Sequence, residues 1–207
     1  MKDTEKMKGR RLGIMGGTFD PIHYGHLATA EAARERFQLE RVLFIPTGHP
    51  PHKEPGSVSN FWDRYMMVML AVLSNPYFEV SRLEYDRGGV SYTVDTLIQL
   101  REIYGEGTDF YFICGIDTML GIFTWKRPHD LFAMCRFIVA TRPGYDPKQL
   151  YDLLGDAYRE RVCVMEIPML DISSTEIRER VKKGLSIKYL LPEEVEAYIY
   201  KNKVYRY

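Results

Sequence analysis

Apolar, β-branched runs alternate with helical patterns about five times along this chain, which is typical of a parallel sheet covered by helices on both faces. The length of 207 residues favours one domain over two. The sequence therefore predicts a single α/β domain, residues 1–207, with a Rossmann-like, doubly wound parallel sheet. In such folds ligands bind outside the carboxyl ends of the strands, so the loops after strands are the places to search for function.

The strand predictions rest on short runs of apolar and β-branched residues, which cover 12–15, 42–45, 78–81, 110–114, 137–140 and 162–166. Helices are predicted where apolar residues repeat with the helical period or where a Pro-Glu-Glu start occurs, namely at 27–37, 61–72, 94–103, 147–159 and 192–202. Residues 183–207 are expected to form a C-terminal helical extension. Residues 1–10, which are rich in lysine, are expected to form a flexible tail.

The composition excludes several classes of protein. Lys plus Arg and Asp plus Glu each number 28, so no net positive field exists to attract a nucleic acid. No apolar run approaches the length of a membrane span and no signal peptide is present, which predicts a cytoplasmic protein without a membrane partner. Cys114, Cys135 and Cys163 lie in apolar runs without a CxxC pair, so we expect buried free thiols rather than disulfides or zinc ligands.

The connection at 48–60 is longer than most connections in compact α/β domains. It holds three prolines and two glycines, and it also carries His52 and Lys53. We expect a mobile loop that takes part in binding.

A glycine-rich segment follows the first predicted strand directly. Gly16 and Gly17 allow close approach of a ligand to the backbone, and Asp20-Pro21 has the sequence of a helix start. His23 and His26, three residues apart, are then expected on one face of a helix beside its positive end, where phosphate binds. An isolated pair of histidines is more often structural, but this context favours phosphate. Two imidazoles without a third ligand indicate no metal site.

A second segment, 171–178, contains a capping box formed by Ser173 and Glu176, so a helix should begin there with Thr175 and Arg178 in its first turns. The alternative is an ordinary capped helix with an exposed arginine. A second phosphate-type helix start elsewhere in the chain favours a joint polyphosphate site.

His23-Tyr-Gly-His26 resembles the HxGH signature of the nucleotidylyltransferase superfamily, and the sequence ISSTEIR at 172–178 resembles its ISSTxIR partner. Within the superfamily, the sequences PPHK at 50–53, GGVSYTVDT at 88–96, GID at 115–117 and RPG at 142–144, together with Trp125, resemble bacterial nicotinate mononucleotide adenylyltransferases. The similarity covers roughly residues 11–182. Ile116 departs from the small alanine usual in that family and should narrow the adenosine side slightly.

The resemblance implies transfer of the adenylyl group of ATP to nicotinate mononucleotide, with Mg²⁺ held mainly by the ATP phosphates. It assigns catalysis to His23, His26 and Arg178. The residues that it assigns to ATP are Gly16, Gly17, Thr18, Phe19, Gly115, Asp117, Ser173, Thr175 and Arg178. The residues that it assigns to the mononucleotide are Asp20, His52, Lys53, Tyr92, Thr93, Trp125 and Arg142. A homo-oligomer is compatible with the sequence.

Alternatives remain at this point. Asp117 fits a helix cap equally well, and an isolated tryptophan such as Trp125 is often a core residue. The acceptor could be another phosphomonoester, such as phosphopantetheine or glycerol phosphate. A class I aminoacyl-tRNA synthetase shares an HxGH-like element but needs a longer chain, and a nucleotide-binding regulator would not need to retain both histidines and Arg178.

The sequence also predicts a preference for the acid mononucleotide over its amide. A helix start at 91–94 should place free N–H groups beside Thr93, and Lys126 and Arg127 add positive charge with no acid before Asp130. We expect at least about a hundredfold preference in kcat/KM on these grounds.

Overall fold

The computed structural model describes residues 10–50, 56–168 and 170–205. A six-stranded sheet in the order β3-β2-β1-β4-β5-β6 forms the centre of this part of the chain. Its strands are β1 (Arg10–Gly17), β2 (Arg41–Pro46), β3 (Phe78–Val80), β4 (Thr108–Gly115), β5 (Arg136–Thr141) and β6 (Val162–Glu166). All six strand predictions are confirmed. Arg10 already belongs to β1, so its assignment to a flexible tail is wrong, and residues 1–9 lie outside the described residues.

The strand order reverses beside β1. All the strand pairs are parallel, and Leu12 of β1 pairs with Arg41 of β2 on one side and with Phe110 of β4 on the other. The chain proceeds outward from β1 in one direction through β2 and β3, and from β4 in the other direction through β5 and β6. The connections that leave β1 and β4 therefore diverge, and a crevice opens at the carboxyl ends of these two strands.

Helices cover both faces of the sheet, as predicted. Their bounds are α1 (Tyr24–Phe37), α2 (Phe61–Val72), α3 (Leu83–Arg87), α4 (Thr93–Tyr104), α5 (Ile116–Leu120), α6 (Pro128–Met134), α7 (Lys148–Arg159), α8 (Ser174–Lys182) and α9 (Glu193–Lys201). In the part of the chain that the structure describes, no helix is long and apolar enough to cross a membrane.

Two apolar cores result from the alternation of side chains along the strands. In β1, Leu12 and Ile14 belong to the core beneath α4, α5, α6 and α7, whereas Met15 belongs to the core beneath α1, α2, α8 and α9. The C-terminal segment is part of the second core. Helix α9 packs against α2, and the Tyr198 hydroxyl donates to Asp63 Oδ1 at 2.8 Å.

Arg64, on the buried face of α2, has only 2% of its surface exposed. Its Nε, Nη1 and Nη2 donate to the carbonyl oxygens of Ser59, Thr18 and Thr47 at 3.0, 2.9 and 2.8 Å. Burial lowers the pKa of Arg64, and the nearby charge of Asp20 opposes that shift. One guanidinium thus joins the segments that follow β1 and β2 to the segment that precedes α2.

The three cysteines are free thiols, as expected. Cys135 is buried, and Cys114 and Cys163 are half-buried within β4 and β6. Burial raises the pKa of Cys114 to about 12, which keeps this thiol protonated and unreactive.

Candidate active site

A cavity of about 580 Å³ lies at the crevice between the carboxyl ends of β1 and β4. This is the position that a doubly wound sheet predicts for a ligand. The predicted site residues in its wall are Gly16, Gly17, Thr18, His23, His26, Tyr92, Thr93, Gly115 and Trp125. The fold therefore brings together residues from the carboxyl ends of two strands and the starts of two helices.

The β1–α1 loop, residues 18–23, forms one side of this cavity. Its carbonyl groups lie outside the sheet ladder, so side chains must satisfy them. Besides the bond from Arg64 to Thr18, the Ser174 hydroxyl donates to the Pro21 carbonyl oxygen at 2.8 Å and Arg178 Nη1 donates to the Asp20 carbonyl oxygen at 2.7 Å. The segment 171–178 is thus joined to the β1–α1 loop by direct hydrogen bonds.

The prediction that a helix opens at Asp20-Pro21 is wrong. Helix α1 begins at Tyr24 with His23 as its N-cap residue, and the Tyr24 N–H donates to the Leu190 carbonyl oxygen at 3.1 Å. The physical reason lies in the Asp20 side chain, which accepts from the Ser59 N–H and the Tyr205 hydroxyl instead of capping a helix. The first N–H group of α1 is consequently already bonded and is not free for a ligand.

The two histidines are in contact although only His26 lies within the helix. Their ring centroids are 3.8 Å apart, and the edge of the Phe19 ring packs on His26 at 5.1 Å. The His23 main-chain N–H donates to His26 Nδ1 at 3.3 Å. Because Nδ1 accepts this bond, neutral His26 carries its proton on Nε2 and can donate from there.

Burial makes both imidazoles neutral at physiological pH. It lowers the pKa of His23 to about 4 and, together with repulsion from His23, lowers the pKa of His26 to about 3. Gly25 lies between them because a methyl group at this position would come within 3.0 Å of His23 Nδ1. The pair is therefore a poor proton acceptor, but it is well suited to donate hydrogen bonds.

The other end of the cavity lies at the start of α4. Tyr92 is the N-cap residue of this helix, and Thr93 is its first residue. The rings of Trp125 and Phe112 pack in a T-shaped arrangement with their centroids 5.8 Å apart. An aromatic ring in the wall beside a helix N-terminus provides an apolar surface next to free donors. This arrangement fits a flat ring that carries an anionic group.

The excess of positive charge expected there is smaller than predicted. Lys126 Nζ lies 3.0 Å from Asp95 Oδ2, and Arg127 Nε lies 2.6 Å from Asp130 Oδ2. Along the chain, the first acid after the two cations is Asp130. The fold brings Asp95 across from the first turn of α4.

Glu84 is a wall residue that the sequence analysis missed. Its Oε1 accepts from the Thr96 hydroxyl at 2.7 Å. Burial raises the pKa of Glu84, although hydrogen bonds from Thr96 and Ser91 oppose that shift. Gly48 is needed beside it, since a methyl group there would come within 2.9 Å of the Glu84 carbonyl. Glu84 thus connects the start of the 48–60 loop to helix α4.

Comparison with known proteins identifies the family. The Cytidylyltransferase-like family matches residues 14–180. A protein of Thermoanaerobacter sp. (strain X514), named "Probable nicotinate-nucleotide adenylyltransferase", is 52% identical over 95% of this chain and 94% of its own length. One from Moorella thermoacetica with the same name is 54% identical over 95% of this chain and 92% of its own length. The chain belongs to the nicotinate-nucleotide adenylyltransferase family.

Solved structures support the fold. The nicotinic acid mononucleotide adenylyltransferase of Plasmodium falciparum complexed with NaAD matches with a TM-score of 0.79 at 23% identity, over 95% of this chain and 97% of that one. The same Plasmodium protein complexed with APC matches with a TM-score of 0.76 at 22% identity, again over 95% and 97% of the two chains. This member of the adenylyltransferase family thus shares its overall fold with these distant solved structures.

Several residues that the resemblance assigned to the site lie outside the cavity wall. Phe19 and Asp20, with 2% and 4% of their surfaces exposed, pack in the interior next to the cavity and do not form part of its wall. Asp117 is exposed in the first turn of α5 and is not its cap, because Gly115 is the N-cap residue. Arg142 is exposed just after β5.

The residues of the second motif lie at the start of α8, next to the β1–α1 loop. Ser173 caps this helix by accepting from the Glu176 N–H at 3.1 Å, as the capping box predicted. Thr175 is exposed, and its hydroxyl oxygen accepts from Arg178 Nη2 at 3.3 Å. His52 and Lys53 lie outside the described residues.

Stability should fall as the pH is lowered, because the folded chain resists protonation of the two histidines. Below about pH 6.5 these histidines become protonated in the unfolded chain but stay neutral in the folded chain. This difference persists until the pH approaches the lowered pKa values of about 4 for His23 and about 3 for His26. Between pH 7.5 and pH 5.5, each imidazole should therefore lower the free energy of unfolding by about 1 kcal/mol. Urea denaturation of His26→Asn should show a loss smaller by that amount.

The matched control is His129→Gln, which changes an exposed histidine on α6. This variant leaves the buried pair intact and should therefore retain the part of the pH dependence that comes from His23 and His26. An unchanged pH dependence in His26→Asn would contradict the burial argument.

Proposed function

We propose that this chain catalyses transfer of the adenylyl group of ATP to nicotinate mononucleotide, which yields nicotinate adenine dinucleotide and pyrophosphate in NAD biosynthesis. The observation that carries this proposal is that the histidine pair, the glycine-rich end of β1 and the aromatic start of α4 all line the same cavity. The names of the curated relatives support the choice of acceptor.

The reaction needs no general base. A phosphate monoester has a second pKa near 6, so the attacking phosphate is already largely dianionic at neutral pH. One of its oxygens forms a bond to the α-phosphorus of ATP, while the bond from that phosphorus to the bridging oxygen breaks and the electron pair leaves with pyrophosphate. The lowered pKa values of His23 and His26 agree with this scheme, because neither imidazole has to accept a proton.

Catalysis must then come from alignment and from stabilising charge on the leaving pyrophosphate. We assign hydrogen-bond donation to the ATP phosphates to His26 Nε2, His23, Thr18 and Arg178. Gly16 and Gly17 let the triphosphate approach the end of β1 closely, because they carry no side chain. Ser173 and Thr175 complete the phosphate side, and Gly115 and Asp117 adjoin the adenosine.

The mononucleotide is assigned to the opposite end of the cavity. Trp125 provides a face for the pyridine ring, and Tyr92 and Thr93 at the start of α4 provide donors for its carboxylate. His52, Lys53 and Arg142 remain predicted contacts of the mononucleotide. Asp20 acts differently in this proposal, since its buried carboxylate supports the β1–α1 loop.

Mg²⁺ fits this site as an ion held by the ATP phosphates. Among the described residues no group of three or more His, Cys, Asp or Glu side chains is placed to hold a metal ion, and Glu84 is the one carboxylate in the described wall. When bound, Mg²⁺ would neutralise charge on the phosphates. A cytoplasmic location, a homo-oligomer and a single domain over 1–207 stay predictions.

The direct test is release of pyrophosphate when ATP and nicotinate mononucleotide are mixed with the protein. His26→Asn is the informative variant, because the asparagine oxygen can replace Nδ1 as the acceptor for the His23 N–H but offers no donor at the position of Nε2. We expect kcat to fall at least about a hundredfold with little change in Tm. His26→Gln, which restores a donor at that distance, should recover part of the loss.

Full turnover in His26→Asn would show that the histidine is misassigned. Turnover with phosphopantetheine or glycerol phosphate but not with nicotinate mononucleotide would show that the acceptor is misassigned.

The site should prefer the acid mononucleotide over the amide by at least about tenfold in kcat/KM. A neutral amide would place its NH₂ group against the N–H donors at the start of α4, which leaves donors unsatisfied. The expected factor is below the hundredfold inferred from sequence because Lys126 and Arg127 are already paired with acids. Competition between the two mononucleotides measures it, and equal kcat/KM values would contradict this reading of the pocket.

A further inference from the structure

We propose that Tyr205 is a positioning residue for adenylyl transfer, because its hydroxyl fixes Asp20 and thereby the β1–α1 loop against the phosphate site. This inference rests on the proposed function. It assigns to the C-terminal end of the described chain a role that its sequence does not suggest.

The contact joins two buried groups from opposite ends of the chain. The Tyr205 hydroxyl donates to Asp20 Oδ1 at 2.8 Å, and Asp20 Oδ2 accepts from the Ser59 N–H at 3.1 Å. Tyr205 and Asp20 have only 7% and 4% of their surfaces exposed. Burial and the charge of Asp20 raise the pKa of Tyr205, so the hydroxyl stays protonated and remains a donor at every physiological pH.

Asp20 connects the Tyr205 hydroxyl to residues at the cavity through its own main chain. Its carbonyl oxygen accepts from Arg178 Nη1 at 2.7 Å, so the position of the main chain at Asp20 also sets the position of the guanidinium. Thr18 and His23, on either side of Asp20 along the same short loop, are wall residues. A shift of this loop would therefore move several assigned phosphate donors together.

Loss of the hydroxyl would leave Asp20 Oδ1 buried without its donor. A buried carboxylate oxygen without a partner is costly, so the side chain would have to turn toward water or another donor. Such a turn would displace the Asp20 main chain and with it Arg178. Misplacement of catalytic groups by about 1 Å can reduce the rate about a hundredfold.

The chain contains a matched contact that does not reach the β1–α1 loop. The Tyr198 hydroxyl, on α9, donates to Asp63 Oδ1, on α2, and this bond also measures 2.8 Å. Both contacts join a tyrosine of the C-terminal segment to an aspartate on the same side of the sheet. They differ in what the aspartate supports and also in burial, because the Tyr198 contact is half-buried and the Tyr205 contact is buried. A comparison of kcat, rather than of Tm, therefore separates an effect on positioning from an effect on stability.

The experiment compares Tyr205→Phe with Tyr198→Phe in steady-state pyrophosphate release, well below both melting temperatures. We expect Tyr205→Phe to lower kcat at least about tenfold and to change the KM for the mononucleotide much less. Tyr198→Phe should keep kcat within about twofold of the wild-type value, even if its Tm falls as much. Wild-type kcat in Tyr205→Phe, or an equal loss in Tyr198→Phe, would overturn the proposal.

A double-mutant cycle tests whether Tyr205 acts through Asp20. Asp20→Asn should itself lower kcat, and addition of Tyr205→Phe to it should cost much less than the same change costs in the wild-type chain. Additive losses would overturn the proposal. Failure of the proposed function would be distinct, because the wild-type protein would then release no pyrophosphate.

Discussion

The site depends on the need to satisfy the carbonyl groups of the β1–α1 loop. This loop leaves the sheet where the strand order reverses, so it has no ladder partner on the side of the crevice. Arg64, Ser174 and Arg178 provide the missing donors from α2 and α8. The same hydrogen bonds that make the loop stable also fix Arg178 against it, so the stability of the loop and the proposed phosphate site share one network.

The chemistry of the histidine pair follows from that placement. Because the rings are enclosed and in contact, their pKa values are far below the ordinary value near 6.5. Buried imidazoles of this kind are weak bases, but the reaction does not need a base, since its nucleophile is already ionised. In the proposed reaction the pair would donate hydrogen bonds where negative charge develops, and burial keeps both rings in the neutral form.

Much of this arrangement could be predicted from the sequence because it depends on local patterns. The strands, the main helices and the capping box at Ser173 each follow from periodicity or from a short motif. Arg64 could have been found as well, because it is a charged residue on the face of α2 that also carries Phe61 and Val68.

The remaining features depend on contacts between distant parts of the chain. The prediction of a helix start at Asp20 failed because its carboxylate is used by Ser59 and Tyr205, which no local pattern shows. The expectation of free positive charge at Lys126 failed for the same reason, since its partner Asp95 is distant in sequence. Glu84 carries no motif, and only the fold reveals that it lies in the wall.

The most direct test of this account is the protonation state of the histidine pair in the free protein, measured by nitrogen NMR of the imidazole rings at neutral pH. We expect both rings to be neutral and His26 to carry its proton on Nε2, because Nδ1 accepts from the His23 N–H. A His26 ring protonated on Nδ1, or on both nitrogens, would contradict the claim that the loop fixes a neutral donor toward the phosphates.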